Sequence, residues 1–513
     1  MCGIAGWVNY KGRVPYVGDL PLRHRGPDGF GFINPTAPSA DHQLYFMHTR
    51  LSVIGDSSYG QPVHELDLGR PTLTINGEIY NYQEFVKPGN DSYAFFHLIQ
   101  DKGIRKALDQ ANGMFAFAYY DGEKVYMAVD RLGQKPLYYY HDGKTLVFAS
   151  TPNALLWLKK DWKINQTALK SYWLLGGIMG ENSLFDGIKR LNAAELATFD
   201  PKTGELSIER YWEPKFQENT PGIEDLVFDS IRKVKVSDVP VHVFLSGGID
   251  STLVASQCPG MGAIHLDGIE KKYAEHVSER FGLKLHVVDP EDCDPVEAMT
   301  DYVTKSGEPA MSALTPWMVS KEAAKLGKVA ITANGADELF FGYNRTHDQV
   351  CSEQVRHMFR SIDTPWIGNV TGRELELRDY VQFDLNQALD RASMCHSLEV
   401  RSPFLDHRLV EMALSIPEQV HRNGYGNKSI LKKMLKALGF NEQFFQRPKL
   451  GFSLFKQPAG LYKLYMEALR WAVEREFLNC DIKTLSGRDL RYLEASAFSF
   501  KIWYQHYEKI LRS

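Results

Sequence analysis

Two patterns in this 513-residue chain carry chemistry on their face. The first is a cysteine in second position; the second is a Ser-Gly-Gly-Ile-Asp-Ser run, 246–251, behind the apolar residues Val243, Phe244 and Leu245. A small second residue permits removal of the initiator methionine, which would leave Cys2 at the head of the mature chain. A terminal cysteine holds thiol and α-amine together, and an amine with a pKa near ~8 can take the thiol proton around neutrality. No separate catalytic histidine is then needed. The Ser/Gly run, an apolar strand turning into a helix, presents backbone N–H groups and a helix N-terminus to phosphate. It lacks the GxxxxGK[ST] of the mononucleotide P-loop and is not GxGxxG. Either pattern alone has a plainer reading, an ordinary cysteine or an ordinary turn, so the elements around them decide.

A chain of this length exceeds one ordinary hydrophobic core, and two domains are expected. The composition, 44% hydrophobic and 24% charged with a formal net charge of −4, is that of a soluble globular enzyme without general attraction to nucleic acid or anionic membrane. Cys2, Cys258, Cys293, Cys351, Cys395 and Cys480 are scattered, with no zinc or disulfide spacing, which suits a reducing cytoplasm. No export signal or membrane span is expected. Up to residue 212, short apolar runs alternate with Gly, Asn and Asp turns (3–8, 72–75, 114–120, 125–129, 137–140 and 146–149), which reads as strand-rich. Residues 213–222 are polar and proline-punctuated, a linker candidate. Beyond them strands and helices alternate: helix 223–236, strand 239–245, helix 251–256, strand 263–266, helix 273–281, strand 285–288. That order implies a parallel sheet flanked by helices. Helical patterns recur at 316–326 and 375–389, and from 461 onward the chain is helical and aromatic-rich. The expected units are 1–212 and 213–513.

The segments Arg23-His24-Arg25-Gly26-Pro27-Asp28-Gly29, His48-Thr49-Arg50-Leu51-Ser52 and Asn76-Gly77-Glu78-Ile79-Tyr80-Asn81 follow Cys2 in order. Together they resemble the glutaminase domain of class II, N-terminal-nucleophile amidotransferases, in the version found in the asparagine synthetase family. The resemblance implies an αββα sandwich of paired antiparallel sheets. Hydrolysis of a glutamine amide passes through an oxyanion that needs fixed donors, a task for the Asn76 side chain and the Gly77 N–H. A free amino acid also needs a forked cation for its carboxylate and acids for its ammonium. Family matching gives Arg50 the first role and Glu78 and Asp91 the second. Asn76-Gly77 by itself would read as a hairpin turn, and Arg50 or Asp91 by itself as a surface ion pair.

The 246–251 run resembles the SGGxDS pyrophosphate loop of adenylating ATP-pyrophosphatases, which gives Leu245, Ser246, Gly247, Gly248, Asp250 and Ser251 as ATP-binding residues. Asp250 would hold Mg²⁺, a hard cation suited to carboxylate and phosphate oxygens. Residues 331–343 resemble the SGxGxDExFxGY element and put Asp337 beside it. Residues 398–406 match VExRxPFLD, and 427–431 match the element that carries the family's catalytic lysine, here Lys428. Residues 447–452 resemble RPKxGF, with Lys449 as a weaker phosphate contact. The match runs through the whole chain. It implies an α/β ATP-pyrophosphatase domain with a helical C-terminal part, adenylation of a carboxylate with release of pyrophosphate, and attack by ammonia led from Cys2. The partners are glutamine, ATP and aspartate or another small carboxylate; a homodimer is left open.

Three departures concern the acceptor, whose candidate contacts are Asn334, Glu338 and Arg401. Asn334 stands where relatives carry an ionisable residue able to take a proton from the attacking ammonium. The segment 308–316, Glu308 to Pro316, is shorter than the usual EPxxDPSAxPT and lacks its aspartate. Ser150-Thr151 replaces Ser-Glu. The leading expectation is glutamine-dependent amidation of aspartate. The alternatives are the same chemistry on another carboxylate, such as a sugar uronic acid, and a binding protein whose catalysis has decayed. Intramolecular cyclisation fits poorly with an intact Cys2 pocket.

Overall fold

The computed structural model describes the chain except residues 13–16, 37–41, 56–59, 66–70, 86–88, 217–221, 344–372, 374–375, 447–457, 459, 479–481, 483–486 and 513. The first part is built from strands β1 (Gly3–Val8), β2 (Gly29–Ile33), β3 (Leu44–Arg50), β4 (Val63–His64), β5 (Thr72–Ile79), β6 (Gly113–Tyr120), β7 (Val125–Val129), β8 (Tyr138–His141), β9 (Leu146–Ala149), β10 (Trp162–Lys163), β11 (Lys189–Arg190), β12 (Glu195–Phe199) and β13 (Leu206–Arg210). All of them except β10 form two six-stranded antiparallel sheets, ordered β11-β8-β9-β1-β3-β2 and β13-β12-β7-β6-β5-β4. Side chains alternate across each strand. Ile4 and Val8 of β1 therefore meet Ala116, Ala118 and Met127 of the facing sheet, whereas Ala5 and Trp7 pack outward. Helices Asp91–Lys102 and Ile104–Gln110 cover the second sheet, and helix Gln166–Leu175 covers the first. This is the expected αββα sandwich.

The second part has a five-stranded parallel sheet of β14 (Val241–Phe244), β15 (Gly262–Leu266), β16 (Lys284–Val288), β17 (Val329–Ile331) and β18 (Glu399–Arg401), ordered β16-β15-β14-β17-β18. The strand order reverses direction between β14 and β17. In open α/β sheets a crevice for ligands forms outside the carboxyl ends of strands at such a point. Residues 245–251 leave β14 and residues 332–338 leave β17, so the topology alone brings these two segments together. Helices Leu461–Glu474 and Gly487–Tyr507 close the chain, and a last strand, β19 (Leu511–Arg512), pairs with β10. Where a helix was expected over 375–389, residues Glu376–Asn386 form a π-helix that runs into the α-helix Gln387–Met394. Among the described residues no helix is long and apolar enough to cross a membrane.

The two parts share apolar packing. Met1, Leu51, Val53, Tyr80, Met114 and Leu132 belong to the same core as Val243, Leu245, Val329 and Ile331. Across the same junction, buried Asp390 accepts from Arg25 at 2.9 Å and Lys135 at 3.2 Å. The cations outweigh the burial that would raise its pKa and hold it below the ordinary value.

Candidate active sites

Cys2 sits at the entry to β1, fully buried, and its backbone N–H donates to Asn76 Oδ1 at 3.0 Å. Asn76 and Gly77 lie inside the eight-residue strand β5, not in a hairpin turn. Gly77 has φ +149°, and a Cβ there would lie 2.0 Å from the Met114 carbonyl oxygen on β6, so the position admits only glycine. The close β5–β6 approach thus explains the dipeptide. Asn76 Nδ2 is buried without a hydrogen-bond partner among the described residues. An orphaned donor of this kind costs stability and is what an oxyanion would satisfy. Burial pushes the Cys2 thiol up to about 11, against the opposing pull of the nearby amino-terminus and a bond from the Leu51 backbone. With Met1 attached the thiol therefore needs a base.

The other expected glutamine contacts gather here. Arg50 ends β3, buried, and donates to the carbonyls of Ile54 at 3.3 Å and Gly55 at 3.0 Å. Asp91 is the first residue of helix Asp91–Lys102, whose N-cap Asn90 accepts from the Tyr93 N–H. Its Oδ2 accepts from the Ile79 N–H at 3.1 Å, and burial pushes its pKa up to about 6 despite the backbone donors. Glu78, also buried, is raised well above the carboxylate range by desolvation and by Glu399 and Asp91. Two residues not singled out from the sequence touch this centre. Arg25 Nε donates to the Cys2 carbonyl at 3.0 Å, and Glu399 Oε2 holds the Met1 ammonium at 2.7 Å. Both belong to quoted motifs, but nothing in the sequence told that Glu399, nearly four hundred residues away, faces Met1.

At the sheet's switch point, β14 passes through Leu245 into Ser246, Gly247 and Gly248 and then helix Ile249–Ser256. Gly247 has φ +80°, and a Cβ would come within 2.8 Å of the Ala274 nitrogen. Ser246 Oγ lies 2.9 Å from Ser251 Oγ and accepts from the Gly248 N–H at 3.2 Å, which fixes the turn. The helix N-cap is Gly248 and supplies no side-chain bond, so no cap competes for the first-turn N–H groups. Asp250 stands in that first turn.

Asp337 and Glu338 open the short helix Ala336–Leu339 that follows β17. Lys428 precedes helix Ser429–Ala437 in left-handed conformation, φ +59°, anchored by its N–H on the Phe340 carbonyl at 3.1 Å. Its ammonium meets Asp250 Oδ2 and lies 2.5 Å from Asp337 Oδ1. Burial would lower its pKa, but the two aspartates raise it above the ordinary lysine value. Two carboxylates converging on one cationic atom beside the 246–251 turn are of the kind that a hard cation such as Mg²⁺ takes together with phosphate oxygens. Gly342 is close enough that a Cβ would lie 1.8 Å from Asp337 Oδ1.

The acceptor candidates separate. Asn334 Oδ1 accepts from Thr332 Oγ1 at 3.2 Å, and Glu338 is buried in the neighbouring helix. Arg401 is instead turned to the glutamine side: its Nε donates to Glu399 at 2.6 Å and its Nη2 lies 3.9 Å from Glu78. Glu308, expected near the acceptor, is buried among Tyr138, Arg391 and the Leu184 N–H at 2.9, 2.8 and 3.2 Å. Its carboxylate joins the two parts of the chain. Thr151 is buried, and its hydroxyl has no hydrogen-bond partner among the described residues. Lys449, Cys351 and Cys480 lie outside the described residues.

Residues 1–212 match the family model of the glutamine amidotransferase domain, and residues 222–376 and 371–498 match that of asparagine synthase. Asparagine synthetase [glutamine-hydrolyzing] 3 of Bacillus subtilis is 28% identical over 85% of this chain and 84% of its own. A putative asparagine synthetase [glutamine-hydrolyzing] 2 of Methanocaldococcus jannaschii is 30% identical over 67% and 76%, and asparagine synthetase [glutamine-hydrolyzing] 2 of Bacillus subtilis is 25% identical over 94% and 76%. With its amidotransferase fold in front and its parallel sheet behind, the chain belongs to the asparagine synthase family.

Proposed function

We propose that the chain is a glutamine-dependent ligase that converts a small carboxylate, aspartate first among them, to its amide at the cost of ATP. Residues 1–212 form the glutaminase unit and 213–513 the synthetase unit. The observation that carries this reading is the meeting of Asp250, Asp337 and Lys428 at the end of the uncapped 246–251 turn, in one chain with the Cys2–Asn76 pair.

Once Met1 is removed, the Cys2 amine takes the thiol proton and the thiolate attacks the glutamine amide. Arg50 binds the substrate carboxylate; Glu78 and Asp91 bind its ammonium. The oxyanion forms at Asn76 Nδ2 and the Gly77 N–H, and ammonia leaves with the proton returned by the Cys2 ammonium. Water then releases glutamate from the thioester. At the second site Leu245, Ser246, Gly247, Gly248 and Ser251 hold the ATP phosphates. The acceptor carboxylate attacks the α-phosphate, pyrophosphate departs, and ammonia displaces AMP from the acyl carbon. Lys428 neutralises charge as it grows on the phosphate and on the tetrahedral centre. Mg²⁺, held by Asp250 and Asp337, would supply charge compensation at the phosphates.

A second reading, the same chemistry on another carboxylate, is favoured by Asn334, a neutral amide three residues before Asp337 in the segment that leaves β17. A screen of carboxylates by pyrophosphate release with glutamine and Mg-ATP separates the two. Release with aspartate and formation of asparagine support the first reading; release only with another acceptor supports the second. No release with any acceptor would sink both.

A further inference from the structure

Arg401 is fully buried, and its guanidinium is held by Glu399 at 2.6 Å and by the carbonyls of Val234 and Val236 at 2.7 and 2.6 Å. That leaves Nη2, which makes no hydrogen bond among the described residues and lies 3.9 Å from Glu78 Oε1, with the guanidinium 5.6 Å over the Tyr80 ring. Glu78 follows Gly77 on β5, and its Oε2 is buried with no hydrogen-bond partner among the described residues. Glu78, Asp91 and Glu399 crowd the same buried region and act on one another as like charges, while Arg401 and the amino-terminus are the opposing cations. The backbone of Arg401 belongs to the other site: Ile331 is its register partner on β17, and its carbonyl accepts from the Thr332 N–H at 2.9 Å. The strand pair that carries Asn334 and Asp337 onward thus projects a guanidinium into the glutamine pocket.

We infer that Arg401 is a positioning residue of the glutamine pocket, delivered by the synthetase sheet, which holds Glu78 in place and aims its carboxyl group at the α-ammonium of glutamine. This rests on the glutaminase reading above and deepens it: glutamine affinity depends on a strand of the second unit. Without the guanidinium, Glu78 faces two carboxylates in a dry site with no side-chain cation opposite, turns away from its aim, and loses a charge-assisted bond to substrate. The thiol, Asn76 and Gly77 are untouched, so turnover at saturation persists.

The test is steady-state glutamate formation by the full chain, with ammonia-dependent pyrophosphate release measured beside it. Arg401→Met should raise KM for glutamine by about 10- to 100-fold, with kcat within about threefold and the ammonia-dependent rate within about twofold. Arg401→Lys, which restores charge without the fork, should recover part of the loss. An unchanged KM overturns the assignment, as does a fall in ammonia-dependent synthesis with a raised KM for the acceptor, which would return Arg401 to the acceptor site. Should Arg401→Met fail to fold, Arg401→Lys decides: a KM raised at constant kcat supports the assignment, and a wild-type KM refutes it. Absence of glutamate formation by the wild-type chain would instead sink the glutaminase reading itself.

Discussion

Gly342→Ala is the smallest change that should separate the two sites. Gly342 is not among the residues with positive φ, so alanine meets no backbone penalty. An added methyl would, however, lie 1.8 Å from Asp337 Oδ1, 2.6 Å from its Cγ and 2.5 Å from Lys428 Cε. Even to reach 3.0 Å, below which side-chain Cβ atoms essentially never approach, the carboxylate must retreat by about 1.2 Å, and the lysine must give way as well. The two backbones are also tied together, since the Gly342 N–H donates to the Asp337 main-chain carbonyl at 2.7 Å, so the chain cannot simply move apart. Displacements near 1 Å at a reacting centre cost about 10²-fold in rate. The expected result is a fall of about 100-fold in pyrophosphate release from Mg-ATP, aspartate and ammonium, mostly in kcat, with glutamate formation from glutamine within about twofold. Both readouts come from one preparation, and glutaminase activity serves as the control for folding. Wild-type pyrophosphate release by Gly342→Ala would refute the reasoning, because it would mean that Asp337 and Lys428 need not hold their positions.

Two further outcomes follow from burial at the glutamine pocket. Asp91 has a folded pKa near 6, above its ordinary value, so the folded state keeps a proton that the unfolded chain has lost between about pH 4 and 6. Stability therefore falls as pH rises through that window and stays lower at pH 7. Asp91→Asn should raise the midpoint of urea unfolding at pH 7 by the equivalent of about 2–3 kcal/mol while weakening glutamine binding; a lower midpoint would contradict this. A chain that keeps Met1 has a thiol near 11, so at pH 8 only about one molecule in a thousand is thiolate. Its glutaminase rate should rise about tenfold per pH unit from 8 to 10, whereas the processed chain should be flat, as pH–rate profiles of both forms would reveal.

Much of the chemistry was legible because it is written in contiguous segments. The 246–251 turn needs only its neighbours to form, and strands 3–8, 125–129 and 146–149 have the bounds expected of them. Strands β2, β3, β12 and β13 escaped because their register comes from sheet partners rather than from turn signals. Residue facing was least legible. The synthetase motifs group Arg401 with Asn334, yet β18 is short, and its side chains at 399 and 401 point back to Met1 and Glu78. Glu308 opens the segment that the family resemblance sets near the acceptor, whereas a buried carboxylate goes where cations and donors are, here Arg391 and Tyr138. The Asn76-Gly77 dipeptide looked like a turn because the demand for glycine comes from β6, which no local pattern records.

The central claim is that ammonia made at Cys2 is consumed at the Asp250–Asp337–Lys428 centre of the same chain. It is tested most directly by measuring glutamate, pyrophosphate and amide product together, in the wild-type chain and in Cys2→Ala, with glutamine or ammonium as nitrogen source. The account predicts near-equal yields of the three from glutamine in the wild type. It predicts none from glutamine in Cys2→Ala, with pyrophosphate and amide still formed from ammonium. Glutamine-dependent amide formation by Cys2→Ala, or glutamate formed by the wild type without matching amide for every carboxylate tried, would contradict it.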